Sequence, residues 1–152
     1  MRISAKVDYA VRAMCEIAAW SGAAPLKAEQ IASAQEIPLS YLENILVDLR
    51  RAGFVRSLRG QVGGYRMAKP AAAITVADVI RAVEGPLADV RGMRPEAIEL
   101  HGSAAGLRDV WLATRVSLRR VLERVSIADV VAGTIPPDVA TLLEDPDSLV
   151  PH

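Results

Sequence analysis

The fold of this chain is decided by residues 39–69, which read LSYLENILVDLRRAGFVRSLRGQVGGYRMAK. Apolar residues recur at three- and four-residue steps in the first part, which predicts an amphipathic helix over Leu39–Ala52. Gly53 ends that helix, and two strand-like runs follow, residues 54–58 and 65–68, on either side of a glycine-rich turn. The segment therefore predicts a helix that leads directly into a β-hairpin with a flexible tip, and the rest of the chain is interpreted around it.

Two further helices are predicted upstream of this segment. The first covers Ser4–Trp20, with Ser4 placed to cap it, and the second covers Lys27–Gln35. Pro38 disfavours helical geometry in the residue before it and suits the entry to a new helix. The connection between the second and third helices is thus short, and it fixes the two at a steep angle.

A fourth helix is predicted after the hairpin, beginning near Ile74 and ending at Glu84. Thr75 and Asp78 have the spacing of a capping box at its start. Residues 86–106 show no sustained periodicity. We therefore expect a loop there, between the fourth helix and whatever follows.

The remainder of the chain predicts a long helix over Leu107–Val125 and a short one over Ile127–Ala132, capped by Ser126. The tail from residue 133 is rich in proline and acidic residues, and we expect it to be loose or packed only at Leu142 and Leu143. The predicted fold class is mainly α with a small β-hairpin wing, that is, a winged helix-turn-helix followed by a long helix.

Composition excludes several classes of protein. Half of the 152 residues are hydrophobic (51%), so a folded core is expected, but no apolar run reaches the roughly 18–20 residues that span a bilayer. The charges spread through the first twenty residues are unlike a signal peptide, so we expect a cytoplasmic protein without a membrane segment. Cys15 is the only cysteine, which excludes an intrachain disulfide and leaves a cysteine-based metal site without partners.

The net charge is zero, but the charge is unevenly distributed. Residues 1–85 have a net charge of +3 and residues 86–152 a net charge of −3. No acidic residue lies between Asp48 and Asp78, whereas six basic residues do: Arg50, Arg51, Arg56, Arg59, Arg66 and Lys69. Such a block attracts phosphate, although a solvated basic face is an equally good reading of the charge alone.

Several short motifs, in this order and at compatible spacing, narrow the choice among winged-helix families. They are Tyr9-Ala10-Val11-Arg12-Ala13, Tyr41-Leu42-Glu43, Leu49-Arg50-Arg51-Ala52-Gly53-Phe54-Val55, Gly63-Gly64-Tyr65-Arg66, the run from Ile74 to Gly85, Leu107–Trp111 and Val125–Val130. Together they resemble the Rrf2 family of transcription regulators over roughly residues 1–132. The resemblance implies a sequence-specific DNA-binding regulator, a repressor, that acts as a homodimer on a palindromic operator in double-stranded DNA.

The same resemblance divides the chain into a DNA-binding domain (1–85), an effector or sensor loop (86–106), a dimerisation helix with a short terminal helix (107–132) and a flexible acidic tail (133–152). It implies that the long helix packs on that of a second copy. The expected contact residues are Val110, Trp111, Thr114, Leu118, Val121 and Leu122.

Many proteins of the family hold an iron–sulfur cluster through three cysteines in the loop that corresponds to residues 86–106. This chain has Gly92, Ile98 and Ala105 at the nearest matching positions. Because thiolates are the ligands that such clusters need, we predict no cluster and no other cofactor.

Candidate DNA-binding residues fall into three groups. Phosphate contacts are expected from Arg50, Arg51, Arg56 and Lys69; base reading from Ser40, Tyr41, Glu43 and Asn44 at the start of the third helix; and minor-groove contacts from Arg59 and Gln61 at the wing tip. Each has a plainer alternative: Ser40 can serve only as a cap, Tyr41 can pack its ring, and Arg59 can be an ordinary surface arginine.

The signal that such a regulator senses stays open at this point. A small molecule or a partner protein could act at residues 86–106; Asp8, Glu96, Glu99 and His101 could hold a divalent metal. Cys15 could react with oxidants, and Trp20 with Trp111 could line a pocket, but for all three side chains core packing is the commoner use.

An enzyme is not expected, because the glycine run at 60–64 lacks the Lys-Ser/Thr of a phosphate loop and leads into a strand. The rival to DNA binding is a winged-helix module that controls a partner enzyme through protein contacts.

Overall fold

The computed structural model describes residues 2–150, apart from the side chains of residues 147 and 149. Within that range it is mostly helical, with one two-stranded antiparallel hairpin. The elements are α1 (Ala5–Ala19), α2 (Ala28–Gln35), α3 (Leu39–Arg51), β1 (Val55–Leu58), β2 (Gly64–Met67), α4 (Val76–Glu84), α5 (Leu107–Leu122), α6 (Ile127–Ala132) and α7 (Pro137–Ala140). Short 3₁₀ turns lie at Ala71–Ala73, Pro95–Ala97, Gly102–Ala104, Thr141–Glu144 and Pro146–Leu149. The predicted winged helix-turn-helix with a long helix after it is confirmed.

Helix α1 is the centre of the core and contacts α2, α3, α4 and α6. Its buried face carries Ala10, Ala13 and Met14, none of which retains exposed surface. Alanine at two of these positions lets neighbouring helices approach α1 closely, while Met14 fills the space between them. A salt bridge of 2.9 Å from Lys6 to Asp48 ties α1 to α3 at the edge of this core.

The predicted helix caps are present. The amide of Val7 donates to the hydroxyl of Ser4 at 3.1 Å, and Thr75 forms a reciprocal capping box with Asp78. A second capping box joins Ser126 and Asp129 at the start of α6. The starts of α1, α4 and α6 are thus specified by side chains that satisfy amides which the helix itself leaves unpaired.

The hairpin is held against the rest of the domain by a residue outside it. Val55 pairs with Met67 and Leu58 with Gly64, and Leu26 then adds a third, bridge-like partner by exchanging hydrogen bonds of 3.0 and 2.8 Å with Tyr65. A Cβ atom on Gly64 would lie 2.5 Å from the carbonyl oxygen of Leu26. Glycine is therefore required at this crossing, and the base of the wing is fixed in position.

Helix α5 ends earlier than its periodicity predicts, at Leu122 rather than Val125. The carbonyl of Val125 accepts a hydrogen bond from the amide of Val76 at 2.9 Å, and the amide of Ile127 donates to Ile74 at 2.9 Å. The apolar side chain of Val125 is buried, but in an extended crossing beside the start of α4. The sequence correctly predicted that Val125 is buried, but the prediction that the helix continues to Val125 was wrong.

The prediction that the tail is loose or packs only at Leu142 and Leu143 is wrong. Leu142 and Leu143 are 55% and 63% exposed, and the buried tail residue is Val139 on the short helix α7. Arg124 anchors the same helix through a 2.9 Å ion pair with Asp138. Between residues 2 and 150, no helix combines the length and apolar character needed to cross a bilayer.

Candidate nucleic-acid interface

The start of α3 presents polar side chains because the helix buries its other face. Leu42, Ile45, Leu46 and Leu49 point into the core without exposed surface. The side chains predicted to read bases, Ser40, Tyr41, Glu43 and Asn44, are all exposed. The structure therefore brings the four predicted residues together on one accessible face of the first turns of α3.

Two of these side chains have contacts that position them. The ring of Tyr41 meets that of Tyr9 edge to face, with centroids 5.7 Å apart, and Tyr41 remains 45% exposed. The side-chain amide of Asn44 donates to the carbonyl of Ser40 at 3.1 Å. Tyr41 thus packs part of its ring and still has surface available for contact. Asn44 uses one Nδ2–H locally, which leaves its second Nδ2–H and its Oδ1 for bonds to a base.

The predicted phosphate-binding side chains lie exposed after this helix. Arg51 is 76% exposed at the end of α3, 3.8 Å from Asp48, and Arg50 donates to the hydroxyl of Ser57 at 3.4 Å. Arg56 is exposed on β1. Lys69 lies with its ammonium 5.7 Å from the centre of the Phe54 ring, within cation–π range. All four keep their charge at the surface, which is what phosphate contacts require.

The wing tip forms a shallow cleft of about 510 Å³ with the start of α2. Arg50, Arg59 and Gln61 line it together with Lys27, which the sequence analysis did not single out. Lys27 is the N-cap of α2 and is exposed. Its position immediately before the first helix of the helix-turn-helix was the available signal, since a cation there adds to the amides of the helix start.

One member of the basic block is not available for DNA. Arg66 lies on β2 and donates to the carbonyl oxygens of Gly22 (3.0 Å) and Ala23. It fastens the loop after α1 to the wing, and it is half-buried there. The sequence count of basic residues therefore overstates the exposed positive charge by one.

The predicted dimerisation residues divide between two surfaces of α5. This helix has no buried residue in the single chain, although it is sixteen residues long. Val110 is 52% exposed and faces away from the domain, whereas others line an apolar cavity of about 750 Å³ beside α1 and α4. Those cavity-lining residues are Trp111, Thr114, Leu118 and Leu122.

The structure bears on three of the sensing sites that the sequence left open: a pocket lined by tryptophans, a reactive cysteine and a metal site. Trp20 does not lie in this cavity; its indole donates to the carbonyl of Ala24 at 2.7 Å. Burial, with a smaller contribution from Glu16, raises the pKa of Cys15 and so disfavours the reactive thiolate. Across residues 2–150, no three His, Cys, Asp or Glu side chains come close enough together to hold a metal ion.

Comparison with known proteins gives consistent matches along most of the chain. Residues 3–133 match the family described as "Rrf2: Iron-dependent Transcriptional regulator". A Mycobacterium tuberculosis protein named as an HTH-type transcriptional regulator is 45% identical over 145 residues, covering 95% of this chain and 90% of that protein. The regulator CymR of Bacillus subtilis is 33% identical over 134 residues, covering 88% and 92%.

Solved structures agree with these sequence matches. The structure titled as CymR, "the Global Cysteine Regulator of B. subtilis", has a TM-score of 0.74 at 33% identity and covers 88% of this chain and 98% of its own. The IscR structure of T. potens has a TM-score of 0.71 at 32% identity and covers 88% of each chain.

The iron in the family's description does not fit the residues of this chain. Cys15 is the only thiol, it is half-buried on α1, and the loop 86–106 contains none. Iron–sulfur clusters are held by several thiolates. The donor set needed for a cluster is therefore missing from this sequence.

Proposed function

The chain belongs to the Rrf2 family of DNA-binding transcription regulators, and from that premise we propose that it is a repressor that binds a palindromic operator as a homodimer. The observation that carries this proposal is the accessible face shared by α3 and the wing. Ser40, Glu43 and Asn44 stand on the exposed start of a helix of major-groove size. The exposed arginines of β1 and the wing tip lie beyond it in the chain.

The residues of this face divide into reading and positioning roles. Asn44 can pair with the edge of adenine and Glu43 can accept a hydrogen bond from the amino group of cytosine. Arg50, Arg51, Arg56 and Lys69 are exposed and suit phosphates on either side of the groove. Arg59 and Gln61 lie at the wing tip, where a minor groove would pass.

The homodimer is supported by α5. A sixteen-residue helix without one buried residue gains little packing from its own chain, although such packing supplies most of the stability of helices in proteins. Leu107, Val110 and Val116 expose apolar surface along it. A second copy that packs on this helix would bury that surface and would relate two α3 helices by a two-fold axis.

A two-fold axis has a consequence for the DNA. Helix-turn-helix dimers bind half-sites one helical turn apart, about 34 Å, or a multiple of it, so the operator repeats the symmetry of the protein. A dimer that occupies such a site excludes other proteins from it. Repression follows most directly from that occupancy.

Selection of genomic fragments by the purified protein, followed by sequencing, tests the proposal. We expect enrichment of an inverted repeat upstream of a small set of genes. Addition of the protein to a transcription reaction on such a fragment should lower the amount of transcript. Enrichment of a site without inverted symmetry would contradict the dimer, and increased transcript would contradict repression.

A further inference from the structure

A second cleft, of about 450 Å³, lies between the end of α4 and the middle of α5, and none of the proposed DNA-binding residues lines it. Its walls include Gly85–Ala88 and the turn that begins at Pro95. Four arginines and one carboxylate provide its charged lining: Arg81, Arg94, Arg115, Arg119 and Glu96. Guanidinium groups gathered around one small cleft attract anions to it.

The neighbouring carboxylates do not neutralise these arginines completely. Glu96 pairs with Arg115, and Glu123 pairs with both Arg119, at 2.9 Å, and Arg81. Arg81 also lies 3.5 Å from Asp78. Three carboxylates thus face four guanidinium groups, and the cluster keeps an excess of one positive charge.

The carboxylates that are present stay ionised. A hydrogen bond from its own backbone amide, followed by the contact with Arg115, lowers the pKa of Glu96. Hydrogen bonds from Arg119 and then Arg81 lower the pKa of Glu123.

The excess charge is carried by Arg94. Among residues 2–150, the guanidinium of Arg94 has no hydrogen bond or ion pair, although its charge acts on nearby Glu96. It lines the cleft. An anion in the cleft would find this guanidinium unengaged.

Arg115 supplies a second unsatisfied donor. Its Nε–H is buried, and no acceptor for it exists in the part of the chain that the structure describes. Buried donors are almost always paired in folded proteins. Guanidinium groups bind carboxylate and phosphate through two parallel N–H groups, so an oxyanion in the cleft would satisfy the donor that the chain leaves open.

We propose that this cleft binds a small anionic effector through a carboxylate or phosphate group, with Arg94 and Arg115 as its main contacts. Its volume is in the range of small-molecule sites. The arginines come from α4, α5 and the loop between them, so an anion would pull together the DNA-binding part and the long helix.

The inference rests on the proposed function for its regulatory consequence. In a dimer built on α5, a change in the angle between α4 and α5 alters the distance between the two wings. Ala88 adopts a positive φ of 51° in the connecting loop, and Arg91 one of 54°. These are uncommon conformations for residues with a side chain.

Calorimetric titration of the full-length protein with citrate and, separately, with inorganic phosphate tests the site. Ionic strength is held constant with sodium chloride. We expect saturable binding of one of the two probes, with one site per chain, and the probe that binds distinguishes a carboxylate from a phosphate ligand. Absence of saturable binding by both probes would overturn the proposal.

Three variants locate the binding. Arg94→Gln removes a side chain without a hydrogen bond or ion pair in the described chain, so folding should be unaffected, and affinity should fall by about tenfold, as expected for a charge-assisted hydrogen bond. Arg115→Gln should lower the affinity for the anion by at least the same factor. Arg120→Gln, on the same helix but outside the cleft, should bind normally; an equal loss in this control would mean non-specific attraction and would overturn the assignment.

The regulatory step is tested on DNA. The probe that binds should change operator affinity by about fivefold or more in the wild type, and Arg94→Gln should need about tenfold more of the probe for the same change. Unchanged operator affinity despite bound anion would overturn the effector role. The Arg59→Ala variant separates the two proposals, because it should lose operator affinity and keep anion binding; anion binding by a protein that binds no DNA at all would refute the proposed function and leave the anion site standing.

Discussion

Among single residues, Arg59 gives the most specific prediction about DNA binding. It is exposed at the wing tip, and the structure shows no acidic side chain paired with it between residues 2 and 150. Arg66, seven residues further on, has its guanidinium committed to two backbone carbonyls. Two arginines of one hairpin therefore have different roles, which a count of charges does not reveal.

Replacing Arg59 with alanine should weaken binding to the selected operator by roughly 1–3 kcal/mol, because a groove contact by a charged side chain is lost. Fluorescence anisotropy at one fixed salt concentration measures it. The matched control is Arg120→Ala, which removes the same charge from α5 and should leave operator affinity unchanged. Equal affinity of Arg59→Ala and the wild type would remove the wing tip from the interface.

Arg56 is expected to contact phosphate, so it should contribute to the binding of any DNA sequence. Replacement by glutamine should weaken operator and random DNA alike and should reduce the slope of log K against log salt concentration by about one, since one fewer phosphate is neutralised. Anisotropy titrations across a salt series give this slope. A loss confined to the operator would instead show that Arg56 reads sequence.

At the scale of the elements, the helix caps were predictable and the placement of the wing was not. Thr75 with Asp78 and Ser126 with Asp129 could be read from the sequence because capping depends on local spacing alone. The bridge from Leu26 to Tyr65 joins residues that are far apart in the chain, and nothing in the local pattern indicates it. The position of Lys27 before α2 was a local signal, but its place beside the wing tip depends on that bridge.

The capping box of α6 gives a pH dependence. Hydrogen bonds from the hydroxyl and then the amide of Ser126 lower the pKa of Asp129 in the folded protein. The ionised form is thus favoured by folding, so the box stabilises the protein above the ordinary aspartate pKa of about 3.9, and the contribution is lost as the pH falls through the lowered folded value.

Asp129→Asn should therefore remove part of the acid-side fall in stability, and urea unfolding between pH 3 and 7 measures it. At neutral pH, Ser126→Ala should lower the unfolding free energy by about 1 kcal/mol, the usual cost of a lost N-cap. An acid limb that is identical in wild type and Asp129→Asn would contradict the role assigned to this carboxylate.

In the molecule as a whole, one loop joins two parts that differ in how completely the single chain buries their apolar surface. The α1-centred core is complete within one chain, and α5 is not. The apolar stripe of α5 was visible in the sequence, but its division between an open cavity beside α1 and α4 and an outward face required the structure, because side chains such as Trp111 and Val110 are neighbours in sequence and lie on different surfaces. The cleft of arginines between α4 and α5 lies at that joint.

Val110→Glu should convert the proposed dimer into monomers, because a charge would be buried in the proposed contact between two α5 helices. Light scattering coupled to gel filtration measures the mass. Val62→Glu is the matched control: Val62 is 69% exposed at the wing tip, and the same substitution there should leave the dimer intact. A dimer that survives Val110→Glu would place the contact elsewhere.

Hydroxyl-radical footprinting of the purified protein on its selected operator tests whether a symmetric dimer binds there. We expect protection of the DNA backbone that is symmetric about one point, with two protected tracts separated by one helical turn or a whole multiple of it. A single protected tract without that symmetry would contradict it.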